Sequence, residues 1–526
     1  MSKIGRNLTF LLISQFATWS ITLVVLIIIP DRLGEADFGK FGFAVAFVQY
    51  FTLAASLGTA TLLAKLVARD RTIFARYVYN ALVLKVALVA ALSTLAVFVA
   101  WAIGTRGDTL VLVALGCVGM MFTVLNEVFV GGQAGLEVMG RPAMWMVVQT
   151  YVASILGLVL VLQGAGVVAY GAAVVLATAV PVIANARKVW PWLAGGRSVD
   201  LGIWRTLVTH GAPLMVLNAL NLFYGTIDIP ILSRVAGDDQ VGWYTLAYRY
   251  VAIPIFIATA AVNAFFPSFS AFGATSQRDF ATQVNRALRL VVVVSVPAAA
   301  GIATIAHDMI RLLYSGRYTD AVAPIQILAL HIPLACIGVV LGTALIASDR
   351  HHRYLWVAGL AAVIAPFVGY VAVRWGLDRY DNGAIGASVS TLLIELVVMS
   401  GAVVLRAPGV FDRSVTWFAL RVVAAAAVMA AAVSLIDLPL FGRIVIGMAL
   451  YLAMLVVLGV FGIGDVRSAF GRARSMLRRP GPGDAATDSD AAVGAATAAS
   501  TGDVLEIDDN GDLIEHAPGD SPERER

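Results

Sequence analysis

GDDQVGWYTLA, residues 237–247, recurs 203 positions earlier as GEADFGKFGFA, residues 34–44. Gly34 aligns with Gly237, Glu35 with Asp238, Gly39 with Gly242, Phe41 with Tyr244 and Ala44 with Ala247, without a gap. Each copy lies between two long apolar runs. Two further correspondences extend the match: Gly140-Arg141 with Asp349-Arg350 at an offset of 209, and Gly171-Ala172-Ala173 with Gly386-Ala387-Ser388 at 215. An offset that grows in small steps is the mark of two copies of one unit parted by short loop insertions. The stretch therefore points to a duplicated domain.

Composition says in which solvent that domain folds. Apolar residues make up 60% of the chain, charged ones only 13%, and the mean hydropathy is +0.85. A soluble domain carries about 25% charged residues, so the chain is read as a polytopic membrane protein. Fourteen apolar runs, near 8–29, 41–64, 78–102, 109–130, 144–163, 167–186, 209–231, 242–266, 288–306, 321–348, 354–375, 384–405, 417–435 and 444–462, are long enough to cross a bilayer as helices. They are continuously apolar where barrel strands would alternate, which makes the fold all-α. The first run follows Lys3 and Arg6, but it exceeds the ~7–15-residue core of a signal peptide and reads as a retained span. Cys117 and Cys336 each fall inside an apolar run and read as packing residues rather than a disulfide or metal pair.

With the N-terminus in the cytoplasm, the inside segments hold 24 Lys and Arg and the outside loops about 10. The positive-inside rule then places both termini in the cytoplasm of a plasma (inner) membrane. The expected order is an N-lobe of six helices (1–186), a cytoplasmic linker (187–208), a C-lobe of six helices (209–405) and two appended helices (406–466). A basic juxtamembrane segment (467–483) follows, either facing anionic lipid or carrying ordinary topology charges. Residues 484–526 hold twelve acidic side chains against two Arg and few large apolar ones, the composition of a disordered tail. The linker stretch WPWLAGGRSVD suggests a short interfacial helix, with Trp190, Trp192 and Trp204 at headgroup depth.

No metal-ligand cluster, Gly-rich phosphate loop or nucleophile-base pair stands out, so neither a metal, a cofactor nor an enzymatic reaction is expected. The chemistry must then lie in polar groups within the spans, which are costly there and face a cavity or a partner. Asn218, Asn221, Gly225 and Asp228 are spaced 3, 4 and 3, on one face of helix seven. Shifted back by 203, that face becomes Gln15, Thr18, Thr22 and Val25 of helix one, and helix two carries Gln49, Thr52, Ser56 and Thr59. These stripes either line a wet cavity between two bundles or hydrogen-bond between helices inside each bundle. Arg249 in helix eight either meets an anionic headgroup, snorkels outward or pairs with Asp228. Lys85 in helix three is a cavity candidate whose stem also reaches the surface. Asp228 and Glu395, the latter midway along helix twelve, are candidates for coupling transport to an ion. Glu127 reads as interfacial, and Gly338 with Gly342 as a close helix contact.

The chain resembles the polysaccharide and oligosaccharide flippases of the multidrug, oligosaccharidyl-lipid and polysaccharide exporter superfamily. The resemblance rests on PDRLGEADFGKFGFA (30–44), TLLAKLVARD (61–70), GLEVMGRPAMW (135–145), DIPILSRVAGDDQVGWYTLAYR (228–249) and HDMIRLLYSGRYTDAVAPIQILAL (307–330). It implies a V-shaped pair of lobes that alternates between inward-open and outward-open. It also implies a polyprenyl-pyrophosphate-linked oligosaccharide as cargo, in a bacterial or archaeal membrane, with glycosyltransferases or a glycan polymerase as partners and a monomeric transporter. No nucleic acid is expected. A cation-coupled drug exporter of the same superfamily is the competing reading, which the amides and hydroxyls of helices one and two disfavour, since acidic groups would be expected there.

Overall fold

The computed structural model describes residues 18, 21–138, 140–273, 275–348, 351–436 and 438–460, with two short strands beyond. Backbone polar groups in hydrocarbon must be satisfied within their own segment, and the described chain accordingly runs almost entirely as helix. The first described helix, α1, covers 21–33. The first half continues with α2 (Glu35–Ser56), α3 (Thr59–Arg69), α4 (Phe74–Ala102), α5 (Gly107–Gly135), α6 (Gly140–Leu162) and α7 (Val167–Val189). The second holds α8 (Leu201–Thr226), α9 (Asp228–Val235), α10 (Asp238–Gly273), α11 (Gln277–Leu313), α12 (Val322–Ala347), α13 (His351–Tyr380) and α14 (Gly383–Leu405). The appended pair is α15 (Arg413–Leu435) and α16 (Leu440–Val457). A separate unit from Phe461 on contains β1 (Glu506–Ile507) and β2 (Leu513–Ile514), paired antiparallel. The basic segment and most of the acidic tail fall outside the described residues.

Thirteen described segments are long and apolar enough to span a membrane, and they match the second to fourteenth expected runs. The first run falls largely outside the described residues. Several helices outrun their apolar cores. Helix α11, expected over 288–306, begins at Gln277, where Ser276 caps it by accepting from the Asp279 amide. Its 37 residues extend to roughly 55 Å, well past a ~30 Å hydrocarbon core.

The duplication is visible in the packing. Helix α5 lies against α2, α4 and α7, while its counterpart α12 lies against α10, α11 and α14. Gly34 and Gly237 both adopt positive φ, 83° and 95°, and each opens the helix that follows in its half. Only glycine adopts that conformation without strain, which gives the repeated motif its physical reason. The second run of the first half and the first run of the second are each interrupted: Leu57 and Gly58 are left-handed between α2 and α3, and α8 hands over to α9 at Ile227.

Between the halves, the linker forms a 3-10 helix over Trp190–Gly196 and α8 begins at Leu201, earlier than expected, because Asp200 caps it through the Gly202 amide. Trp190 is exposed and stacked under Arg197, whereas Trp192 packs edge-on against Phe74. Trp204 is partly buried, its indole nitrogen enclosed. The linker segment is thus a 3-10 helix docked on α4.

Candidate functional site

The two copies of the repeated motif pack on each other. A side chain at Gly39 would collide with the Asp238 carbonyl, and one at Gly242 with the Glu35 carbonyl. Gly39 and Gly242 are repeat equivalents, as are Glu35 and Asp238, so the contact is reciprocal, as a twofold requires. Gly42 faces Thr245, its own equivalent, at the position an axis would occupy. These small residues let α2 and α10 approach closely enough for backbone contact.

Around this seam the C-lobe grips the end of α1. Tyr314 donates to the Leu26 carbonyl at 2.9 Å, Tyr318 to that of Pro30 at 3.0 Å, and Arg317 to that of Asp31 at 2.6 Å. The Tyr318 amide donates to Glu35 Oε1 at 2.8 Å, and Tyr250 donates to Tyr314 at 2.7 Å. The Leu26 carbonyl faces Pro30, which has no N–H to donate four residues on, so the Tyr314 hydroxyl meets a standing demand, while the Pro30 carbonyl accepts from the Gly34 amide as well as from Tyr318. One apolar cluster joins both lobes here. At the opposite end a cluster separate from the first unites the N-lobe, the linker and, from the second half, the start of α8 (Leu62, Val67, Phe74, Leu193, Ile203, Leu207).

Of the sequence candidates, Arg249 stands at this seam. Arg249 lies over the Phe38 ring at 4.7 Å, with Tyr170, Tyr314 and Tyr318 around it. Asp228 is not its partner. That carboxylate is 1% exposed and accepts from Thr391 at 2.9 Å, while Tyr244 donates to Thr391 at 2.7 Å. Ser390 lies alongside, and Gly369 lets α13 close over the carboxylate, where a methyl would sit 2.7 Å from Oδ1. The stripe on α8 therefore has two environments. Asn218 is exposed and Gly225 faces open space, Asn221 is half-buried with its carbonyl oxygen enclosed, and Asp228 turns into the C-lobe. Thr226, beside the break, hydrogen-bonds Tyr50 of α2 at 2.8 Å across the lobes.

Glu395 occupies a second C-lobe cluster with Tyr224, Tyr248, Tyr354 and Cys336. Gly338 makes room for it, since a methyl there would stand 3.0 Å from Oε1. The Gly338/Gly342 pair thus admits a carboxylate and the Tyr354 ring as well as bringing α12 close. In the N-lobe, Gln49 and Thr52 line a cavity of about 320 Å³ between α2, α5 and α7. Thr22 is exposed and donates to the Thr18 carbonyl, and Gln15 lies outside the described residues.

Lys85 is fully buried and donates to the carbonyls of Ala55 and Ser56, closing the end of α2 with Glu127 nearby. Its ammonium is therefore taken up by the helix end rather than presented to open space. The amides Asn126, Gln133 and Asn185 join α5 to α7 through bonds of 2.9 and 3.0 Å, interhelical bonding inside one bundle. Both cysteines are free and buried. Among the described residues no group of three His, Cys, Asp or Glu could hold a metal ion.

Sequence reasoning passed over the tyrosines and the Thr391 hydroxyl. The only signal was YSGRYTD, a tyrosine-flanked turn between two apolar runs, because apolar-run counting treats Tyr as part of the span.

The family described as polysaccharide biosynthesis protein matches residues 4–272, and the MatE family matches 213–371. An uncharacterized membrane protein in the cps region of Klebsiella pneumoniae is 24% identical over 182 residues, 34% of this chain and 36% of that protein. The lipopolysaccharide biosynthesis protein WzxC of Escherichia coli K12 is 23% identical over 185 residues, 35% of each. The chain thus spans about a third of the length of these curated relatives. The lipid II flippase MurJ in an inward closed conformation superposes with a TM-score of 0.72 at 13% identity, covering 89% of this chain and 99% of that one, which shows the fold. With half of its length matched and the two-lobed fold in place, the chain belongs to the polysaccharide biosynthesis protein family.

Proposed function

We propose that this protein carries a polyprenyl-pyrophosphate-linked oligosaccharide from the inner to the outer leaflet of a bacterial or archaeal plasma membrane, by alternating access of its two lobes. The reading rests on one observation: repeat-equivalent residues of α2 and α10 meet at one end, Gly39 on Asp238 and Gly242 on Glu35. By the basic-residue bias, that end faces outward and both termini face the cytoplasm. The headgroup then enters from the cytoplasmic side, where the N-lobe cluster takes in only the start of α8 from the second half.

A glycan cannot cross hydrocarbon unaided, because its hydroxyls would be left unpaired. Asn218, Asn221, Gln49, Thr18, Thr22 and Gln15 supply hydrogen-bonding groups for its passage, Arg249 a charge for the pyrophosphate once the outer end parts, and Asp228 and Glu395 carboxyls for ion coupling. Lys85 takes part indirectly, by holding the break in helix two. The protein acts as a monomer and as a transporter rather than an enzyme, supplied by glycosyltransferases and followed by a polymerase.

The test is reconstitution in vesicles with fluorescent lipid-linked oligosaccharides. Protein-dependent protection or exposure of the glycan to an external lectin is expected. No translocation across a panel of glycans, together with export of organic cations, would establish the second reading, an ion-coupled drug exporter. That reading draws on the MatE match over the C-lobe, which contains the buried Asp228.

A further inference from the structure

Helices α15 and α16 have no counterpart in the duplicated unit, and α15 packs along α11. Where these elements meet, a cavity of about 550 Å³ is lined by Arg289, Ser414, Trp417, Phe418, Arg421 and the residues that end α16, Gly459 and Val460. Its depth follows from sequence. After Arg289 no charge occurs until His307, and after Arg421 none until Asp437. Both arginines therefore stand at the boundary of an apolar span, on the same end of the bundle, and α16 leaves its span at the same level. Trp417 is 57% exposed beside them, as suits an indole at a membrane interface.

The two arginines are arranged, not merely present. Arg289 donates to the Ser414 hydroxyl at 2.8 Å and stacks over Phe418 at 5.6 Å, which fixes its guanidinium. The neighbouring acid, Asp412, accepts from Ser414 Oγ at 2.6 Å and the Val415 amide at 2.9 Å at the start of α15, and its charge also acts on Arg289. Arg421 is exposed and forms no ion pair among the described residues. The cleft thus offers guanidinium donors, a hydroxyl and an aromatic wall at headgroup depth, with hydrocarbon immediately beyond. Guanidinium groups match the oxygen geometry of a phosphate, and basic pockets between membrane helices at this level suit anionic headgroups.

We propose that this cleft is a binding site for an anionic phospholipid, its phosphodiester held by Arg289 and Arg421 and its glycerol backbone against Trp417. Topology charges alone need only lie on the correct side of the membrane; they need not converge on one cavity beside an exposed indole. The site is remote in sequence from the polar stripes of the transport path and independent of what the lobes carry.

The test uses the full-length chain in neutral detergent. Phosphatidylglycerol and phosphatidylcholine with the same acyl chains are titrated, with retained lipid counted by native mass spectrometry and stability followed by thermal unfolding. The wild type is expected to retain one phosphatidylglycerol in preference to phosphatidylcholine, with a raised Tm. Arg289→Gln/Arg421→Gln should weaken that retention roughly thirtyfold, the loss expected for two charges near a lipid phosphate. Arg289→Lys/Arg421→Lys should restore it in part. Arg69→Gln/Arg278→Gln removes the same charge from exposed positions outside the cleft and should bind as wild type. Brominated phosphatidylglycerol should quench fluorescence that Trp417→Phe removes. Equal loss in both Gln pairs would reduce the effect to diffuse charge and overturn the site. Stabilisation by inorganic phosphate alone, to the same extent, would overturn the lipid as ligand. A Gln pair that unfolds at lower temperature before any lipid is added is read through the Lys pair and the Trp417→Phe quenching, either of which can refute the assignment.

Discussion

The ammonium of Lys85 ends on the carbonyls of Ala55 and Ser56, where the chain turns left-handed at Leu57. A helix end inside a bilayer has no water to satisfy its carbonyls, so the lysine substitutes for the missing turn. Lys85→Met keeps the volume and removes the donor; the expected loss is about 2–4 kcal/mol, the range for buried charged hydrogen bonds left half-made. Thermal unfolding in detergent would register it, and an unchanged Tm would show that the break in helix two does not rely on the amine. The sequence placed Lys85 in an apolar span, as a cavity candidate whose stem also reaches the surface, but did not reveal its partner, because SLGTA carries no proline to announce a break. The same holds for Asp228: its place on the α8 stripe was legible, whereas Thr391, 163 residues away, was not.

Among the elements, the linker shows how a loop becomes part of the scaffold. Asn80 of α4 donates to the Ser198 carbonyl at 2.9 Å and accepts from the Asp200 amide at 2.7 Å, while Arg76 pairs with Asp200 at 2.5 Å. The Gly202 amide first, and Arg76 second, hold the Asp200 carboxyl below its ordinary range. A carboxyl depressed on folding contributes stability above its unfolded pKa, about 3.9, and that contribution is lost as pH falls through the lower folded value. Amide hydrogen exchange over residues 190–200 should therefore stay slow from pH 7 to about 5, after correction for intrinsic rates, and quicken below about 4. Asp200→Asn should quicken it already at neutral pH; equal protection in that variant would mean that Asn80 alone docks the linker. The tryptophans and glycines marked a surface turn in the sequence, but its docking on α4 depends on side chains more than a hundred residues apart.

For the whole molecule, alternating access requires that the contacts closing one end break in every cycle. A Cβ at Gly42 would lie 3.2 Å from that of Thr245, a few tenths of an ångström short of a usual disulfide span. Gly42→Cys/Thr245→Cys should cross-link under mild oxidation, stop translocation in vesicles and recover it on reduction. Full activity in the cross-linked state would exclude separation of α2 from α10 as a step. The chain's sequence by itself determined the membrane environment, the number and order of the spans and the internal duplication, because a bilayer demands long apolar helices and a copied unit leaves copied turns. Only the tertiary structure decided which faces meet: that the two copies of the repeated motif pack against each other, that tyrosines from one lobe close on carbonyls of α1, and that Lys85 serves a helix end. In hydrocarbon the lipid-facing and packed sides of a span are both largely apolar, so the pattern that reveals an inward face in water is weak, and small residues and isolated hydroxyls acquire partners only when distant helices are brought together.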